Sequence, residues 1–150
     1  MSELDQLMAV MEAAFDPHWR EAWTRAQVEG SLALPHTYAL LAGANGEPLT
    51  EGEDAAGFVL ARRAPGEDEL LLVAVRPEMR GRGIGKALIE WFFRTASNHG
   101  AEKVFLEMRD NNPAATLYAA CGFEPIGRRR AYYRTATGEP LDAITFGRDL

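Results

Sequence analysis

The run LLLVAV at residues 70–75 is apolar without alternation and leads directly into RPEMRGRGIGKAL at 76–88. Few folds accommodate that order. Unalternated apolar residues specify a strand buried on both faces. Gly81, Gly83 and Gly85 then turn the chain sharply, and Ile84, Leu88, Trp91, Phe92 and Thr95 recur at helical spacing. Gly100 is placed to end that helix in the left-handed region. KVFLEM supplies the next buried strand, so strand, helix and strand predict a right-handed βαβ unit with a parallel pair at its centre.

The flanking segments read in the same way. Ser2, with Asp5 three residues on, caps a first helix whose stripe is Leu4, Leu7, Met8, Met11 and Phe15. Thr24 and Gln27 form a capping box for a second helix that is over by Pro35, with Trp23 as its anchor. TYALLA and GFVLARR are strands, the latter joined to LLLVAV by a turn at Pro65-Gly66. In NNPAATLYAACGF, Asn112 is expected as N-cap, Pro113 at the first helical position and Gly122 just past the end. EPIGRRRAYYR and DAITFGRDL form a hairpin around TATGEP. With no repeat, low-complexity tract or linker, residues 1–150 are expected to be one α/β domain. Its sheet is mixed and mostly antiparallel around a central parallel strand pair, with about four helices.

Composition narrows the function. At 47% hydrophobic and 25% charged residues the chain is globular. No apolar run approaches the ~18 residues of a membrane span, and the acidic start MSELDQ is unlike a secretory leader. A single cysteine, Cys121, and no cluster at metal-ligand spacing leave no disulfide and no metal site expected, which fits a cytoplasmic protein. His18, His36 and His99 fall in loop-like stretches and read as surface residues. Residues 1–75 carry 4 basic and 13 acidic side chains, whereas residues 76–150 carry 12 and 9. That division suits an anion held by the second half and a cationic partner met by the first, and it argues against direct nucleic-acid binding.

Three phosphate-binding patterns compete for RGRGIGKAL. A P-loop requires Gly-Lys followed by Ser or Thr, and Ala87 follows Lys86. A dinucleotide fingerprint requires G-x-G-x-x-G, and the spacing here is G-x-G-x-G. What stands is the simplest: free amides at a helix N-terminus, a favourable dipole and adjacent cations, together suited to a diphosphate.

The arrangement Arg80-x-x-Gly83-x-Gly85 after such a strand resembles the GCN5-related N-acetyltransferase (GNAT) family, and DNNPAATLYAACGF resembles that family's second landmark. Within the family, FLEMR and RRRAYYRTATGEPLDAITF are similar to the RimI type, which acetylates the N-terminal alanine of a small-subunit ribosomal protein. The resemblance spans roughly residues 3–150. It implies acetyl-CoA as cofactor, with its pyrophosphate on the amides of Gly81, Arg82, Gly83, Ile84, Gly85 and Lys86 and with Arg80 among the neutralising cations. It implies that Val73, Ala74 and Val75 pair with the pantetheine arm like an added strand. Asn111 or Asn112 would meet the cofactor: spacing to Tyr118 favours the first, capping the second.

Acetyl transfer needs a neutral amine beside a thioester and a proton for the departing thiolate. An α-amino group, with a pKa of about 8 against roughly 10.4 for lysine, is about 3 kcal/mol cheaper to deprotonate. Glu107, expected against apolar neighbours at a strand end, is the candidate base, directly or through a water, and the resemblance places the RimI-type catalytic glutamate on the same stretch. Tyr118 is the candidate acid. Tyr132 and Tyr133, on the last hairpin, are candidates to grip the acceptor peptide, and a basic ribosomal protein would suit the acidic first half. A small-molecule amine acceptor, or an acyl-CoA sensor without catalysis, are the competing expectations.

Overall fold

The computed structural model describes residues 2–150. Helix α1 (Glu3–Ala14) opens with the expected capping box: Ser2 Oγ accepts from Asp5 N, and Asp5 Oδ2 accepts from Ser2 N. A single 3₁₀ turn (Pro17–Trp19) and helix α2 (Arg25–Leu32) follow, the latter boxed by Thr24 and Gln27 and finished before Pro35.

Strands β1 (Thr37–Ala42), β2 (Gly57–Ala64) and β3 (Glu67–Val75) form an antiparallel meander. The β2–β3 turn is Pro65-Gly66, with Gly66 at φ 80°. Helix α3 (Ile84–Asn98) crosses the sheet and delivers β4 (Lys103–Arg109) parallel to β3. Helix α4 (Ala115–Ala120) precedes the hairpin of β5 (Glu124–Arg134) and β6 (Pro140–Asp149). The six strands lie in the order β1-β2-β3-β4-β6-β5, with β3–β4 the parallel pair.

The sheet has a core on each face. Ile84, Leu88, Ile89, Phe92 and Ala96 of α3 pack on Val59, Leu106 and Ile144, while Leu7, Val10 and Met11 of α1 pack on Phe58 and Leu60. At about 1.5–3 kcal/mol for each fully buried large aliphatic or aromatic side chain, these two layers fix the helices to the sheet.

Three local expectations need correction. LLLVAV is not buried on both faces, because Leu71, Leu72, Val73 and Val75 are only half-buried. Asn112 does not cap α4 directly: its Oδ1 accepts from Ala114 N, and its carbonyl accepts from Ala115 N, so an Asx turn through Pro113 delays the helix to Ala115. His99 is not a free surface residue, since its Nδ1 lies 3.2 Å from Asp68 Oδ2, edge-on to Tyr38, whose hydroxyl donates to the same oxygen at 2.7 Å.

Candidate active site

The half-buried stretch of β3 has a cause. Pairing between β3 and β4 stops at Leu70↔Leu106, although β3 runs on to Val75 and β4 to Arg109. A bulge sets in at the same place. Leu60 pairs with Leu72 but Ala61 pairs with Leu70, so Leu71 is the extra residue. A one-residue insertion exchanges the two faces of a strand. Accordingly Leu70 joins the α3 side, Leu72 and Ala74 the α1 side, and Val73 and Val75 return to the α3 side. From Leu71 onward the β4-facing edge of β3 is left without a strand, and a cavity of about 970 Å³ occupies the gap.

One end of that cavity is the glycine junction. Gly81 and Gly83 hold φ of 78° and 81°, a region that costs other residues about 1–2 kcal/mol. Gly85 has a different reason. A Cβ there would lie 3.1 Å from Leu117 Cδ2, so this glycine admits α4 against α3. Helix α3 has no side-chain cap, and among the described residues no backbone acceptor takes the amides of positions 81–86. Six unsatisfied donors at a dipole's positive end fit a diphosphate. Arg76 and Arg80 are committed elsewhere: Arg76 Nε donates to Ala55 O, and Arg80 donates to Val75 O and Ala14 O. Arg80 therefore ties the junction to the end of α1, and the exposed cations beside it that make no hydrogen bond or ion pair among the described residues are Arg82 and Lys86. Arg80, Gly81, Gly83, Ile84, Gly85 and Lys86 line the cavity together with Val73, Ala74 and Val75; Arg82 lies outside the lining.

The middle of the cavity carries ionisable groups. Glu107 projects from β4 on the face away from α3, where Thr145 Oγ1 donates to its Oε2 at 3.3 Å and Arg129 Nε lies 3.3 Å from the same oxygen. Its surroundings are thus polar, contrary to the apolar setting expected of it. The alternation of β4 explains this, since Val104, Leu106 and Met108 turn toward the core and Glu107 turns the other way, beside the split. Tyr118 enters from α4, 8% exposed, with its ring edge-on to Phe123. Burial, reinforced by the negative charge of Glu21, pushes its hydroxyl well above the ordinary tyrosine range. No protein group hydrogen-bonds that hydroxyl among the described residues.

The remaining candidates separate. Tyr133 lines the cavity, and burial followed by the charges of Glu107 and others pushes its hydroxyl up to about 12. Tyr132 lies outside, 53% exposed, edge-on to Tyr133 with Arg129 5.0 Å above its ring. Asn112 lines the cavity; Asn111, at φ 64°, lies outside and accepts from Arg109 Nη1 through its Oδ1. Cys121 is buried, and burial raises its thiol pKa, which keeps it protonated and poorly nucleophilic.

Residues not singled out from the sequence complete the wall. The loop at 15–24 brings Trp19 and Glu21 to the wall of the same cavity as Glu107. Glu21 Oε1 lies 3.2 Å from Arg109 Nε and its Oε2 accepts from Asn112 Nδ2 at 3.2 Å. The only local sign of this was an arginine, Arg109, closing an otherwise buried strand pattern. Its partner in the loop has no pattern at all.

A parted parallel pair, an uncapped glycine helix start at one end and a carboxylate with a tyrosine in between define an acyl-CoA transferase architecture. The chain belongs to the acetyltransferase (GNAT) family, whose sequence pattern matches residues 4–123. It is an acetyl-CoA-dependent N-acetyltransferase. It is 35% identical over 131 residues to the N-alpha-acetyltransferase RimI of Mycobacterium tuberculosis, spanning 86% of this chain and 77% of that protein. It is also 35% identical over 97 residues to the ribosomal protein bS18-alanine N-acetyltransferase of Escherichia coli, spanning 64% of this chain and 65% of that one. The crystal structure of the ribosomal-protein-S18-alanine N-acetyltransferase from Escherichia coli shares the fold with a TM-score of 0.81 at 24% identity, covering 99% of this chain and 90% of the other. Arabidopsis thaliana NAA60, solved in complex with acetyl-CoA, shares it with a TM-score of 0.79 at 22% identity, covering 99% and 93%.

Proposed function

We propose that residues 1–150 form one cytoplasmic N-acetyltransferase domain that acetylates the N-terminal α-amine of a protein, with a ribosomal protein beginning in alanine as the acceptor. The observation that carries this reading is that Glu107 and Tyr118 open onto the same cavity in which the free amides at the start of α3 also lie. The similarity to bS18-alanine enzymes supports the choice of acceptor.

In this reading the pyrophosphate of acetyl-CoA lies on the amides of Gly81–Lys86, with Lys86 and Arg82 balancing its charge. The pantetheine arm follows the strandless edge at Val73, Ala74 and Val75. The acceptor arrives as an ammonium and gives one proton to Glu107, directly or through a water, which Arg129 and Thr145 hold in place. The neutral nitrogen would attack the thioester carbonyl, forming the C–N bond as the C–S bond breaks, and the surplus proton left on nitrogen would pass to the departing sulfur, giving the amide and the free thiol. Tyr118, which keeps its proton at neutral pH, offers a hydrogen bond to the departing sulfur. Tyr133 and Asn112, on the lining, would meet the peptide and the cofactor respectively, with Tyr132 edge-on behind Tyr133 and Asn111 bonded to Arg109.

Purified protein with acetyl-CoA is given two basic peptides, one with free N-terminal alanine and no lysine, the other blocked and carrying one lysine. Thiol release and mass gain on the first alone are expected. Transfer to neither peptide, with acetyl-CoA still bound, would redirect the reading to a small amine or to a sensor.

A further inference from the structure

Arg109 stands between three parts of the site that the chain order keeps far apart. It is 6% exposed, and its guanidinium meets three residues at once. Nε faces Glu21 Oε1 at 3.2 Å, Nη1 donates to Asn111 Oδ1 at 2.8 Å, and its Cζ lies 3.9 Å from the centre of the Trp19 ring. Trp19 and Glu21 belong to the α1–α2 loop; Asn111 belongs to the turn that leads to α4 and Tyr118; Arg109 itself follows Glu107 by two residues, on the same face of β4. The same loop is fixed at a further point, where Ala136 N donates to His18 O at 2.8 Å.

We propose that Arg109 is a positioning residue of the acceptor end, clamping the loop of residues 15–24 through Trp19 and Glu21 so that this loop forms the wall against which the acceptor amine is placed. The inference rests on the reading of the cavity as an acetyl-transfer site. A planar guanidinium suits the task because it stacks on an indole with its face while bonding a carboxylate and an amide with its edge. Lysine would supply the charge and neither the stack nor the fork. A buried guanidinium cannot leave its partners without losing them all, so the loop is held or released as a unit. Glu21 is thereby kept facing inward, where its charge acts on the hydroxyls of Tyr118 and Tyr133.

The test compares wild type with Arg109→Met, Arg109→Lys and Glu21→Gln. Hydrogen exchange is read for residues 15–24 against α3, with acetyl-CoA affinity and acceptor KM measured alongside. Both Arg109 variants should exchange faster in the loop while α3 stays protected. Acceptor KM should rise about tenfold or more, which is a loss of about 1.4 kcal/mol of acceptor binding, with acetyl-CoA affinity within about twofold of wild type. Glu21→Gln combined with Arg109→Lys should cost less than the two single effects multiplied, because they share one contact. Unchanged loop exchange in Arg109→Lys would overturn the clamp, and faster exchange with unchanged acceptor KM would overturn the loop's part in placing the amine. If the wild type acetylates no peptide, the functional reading fails, and the exchange comparison still decides whether Arg109 holds the loop.

Discussion

Gly85 and Leu117 set how closely α3 approaches α4: a Cβ on Gly85 would stand 3.1 Å from Leu117 Cδ2. Tyr118 is the next residue along α4, so the spacing of these helices also sets where its hydroxyl lies. Gly85→Ala gains up to about 1 kcal/mol of helix propensity and must push Leu117 by a few tenths of an ångström. We expect a melting temperature within a few degrees of wild type and a clearly lower kcat. A melting temperature and kcat that fall together would mean the helices separate rather than shift.

Glu107→Gln keeps the shape of the side chain and removes its capacity to take a proton. General-base catalysis is worth about 10²–10⁴-fold, so kcat should drop into that range with acetyl-CoA affinity retained. Tyr118→Phe should likewise lower kcat and leave acceptor binding intact, since its loss falls on the leaving group. Stopped-flow transfer and calorimetric acetyl-CoA binding on the same samples distinguish the two effects.

Alkaline stability should reflect Tyr38, Tyr118 and Tyr133. All three hold their protons above the ordinary tyrosine range, mainly through burial, and Tyr38 also through its hydrogen bond to Asp68. Unfolding returns them to a pKa of about 10. Above that pH the unfolded chain binds fewer protons than the folded one, so stability falls as pH rises. Their contribution is complete below about pH 10 and is lost through the window between 10 and the raised values, about 12 for Tyr133. Urea denaturation from pH 8 to 11 should show this decline, and Tyr38→Phe should lessen it.

Acceptor capture should depend on salt. The 13 acidic against 4 basic residues of the first half favour a cationic protein, and the screening length shortens from about 10 Å at 0.1 M to 3 Å at 1 M. kcat/KM for a basic acceptor should decrease across that range, while a neutral peptide of equal length should respond much less. Equal responses would remove long-range attraction from the account.

Much of this architecture was legible because it follows from short-range rules. The capping boxes at Ser2 and Thr24, the Pro65-Gly66 turn and the stripe of α3 are each specified within a few residues. What escaped depends on partners distant in sequence. The bulge at Leu71 leaves no mark in LLLVAV, because an apolar residue reads the same whether it faces a core or a groove. Glu21 reaches its place through Arg109 and Asn112, 88 and 91 residues away. Tyr132 and Tyr133 are neighbours on one strand, so alternation alone sends them to opposite faces; which of the two turns inward depends on the register of β5, which shifts between Arg129 and Tyr133.

The parting of β3 from β4 leaves the molecule with a vacancy in its own hydrogen-bond pattern, between Leu71 and Val75. An extended amide-bearing ligand laid there acts as a missing strand, so its binding adds directly to folding stability, by about 2.7 kcal/mol at a hundredfold excess over Kd. A loaded molecule should therefore outlast an empty one against a protease that cuts only the unfolded chain.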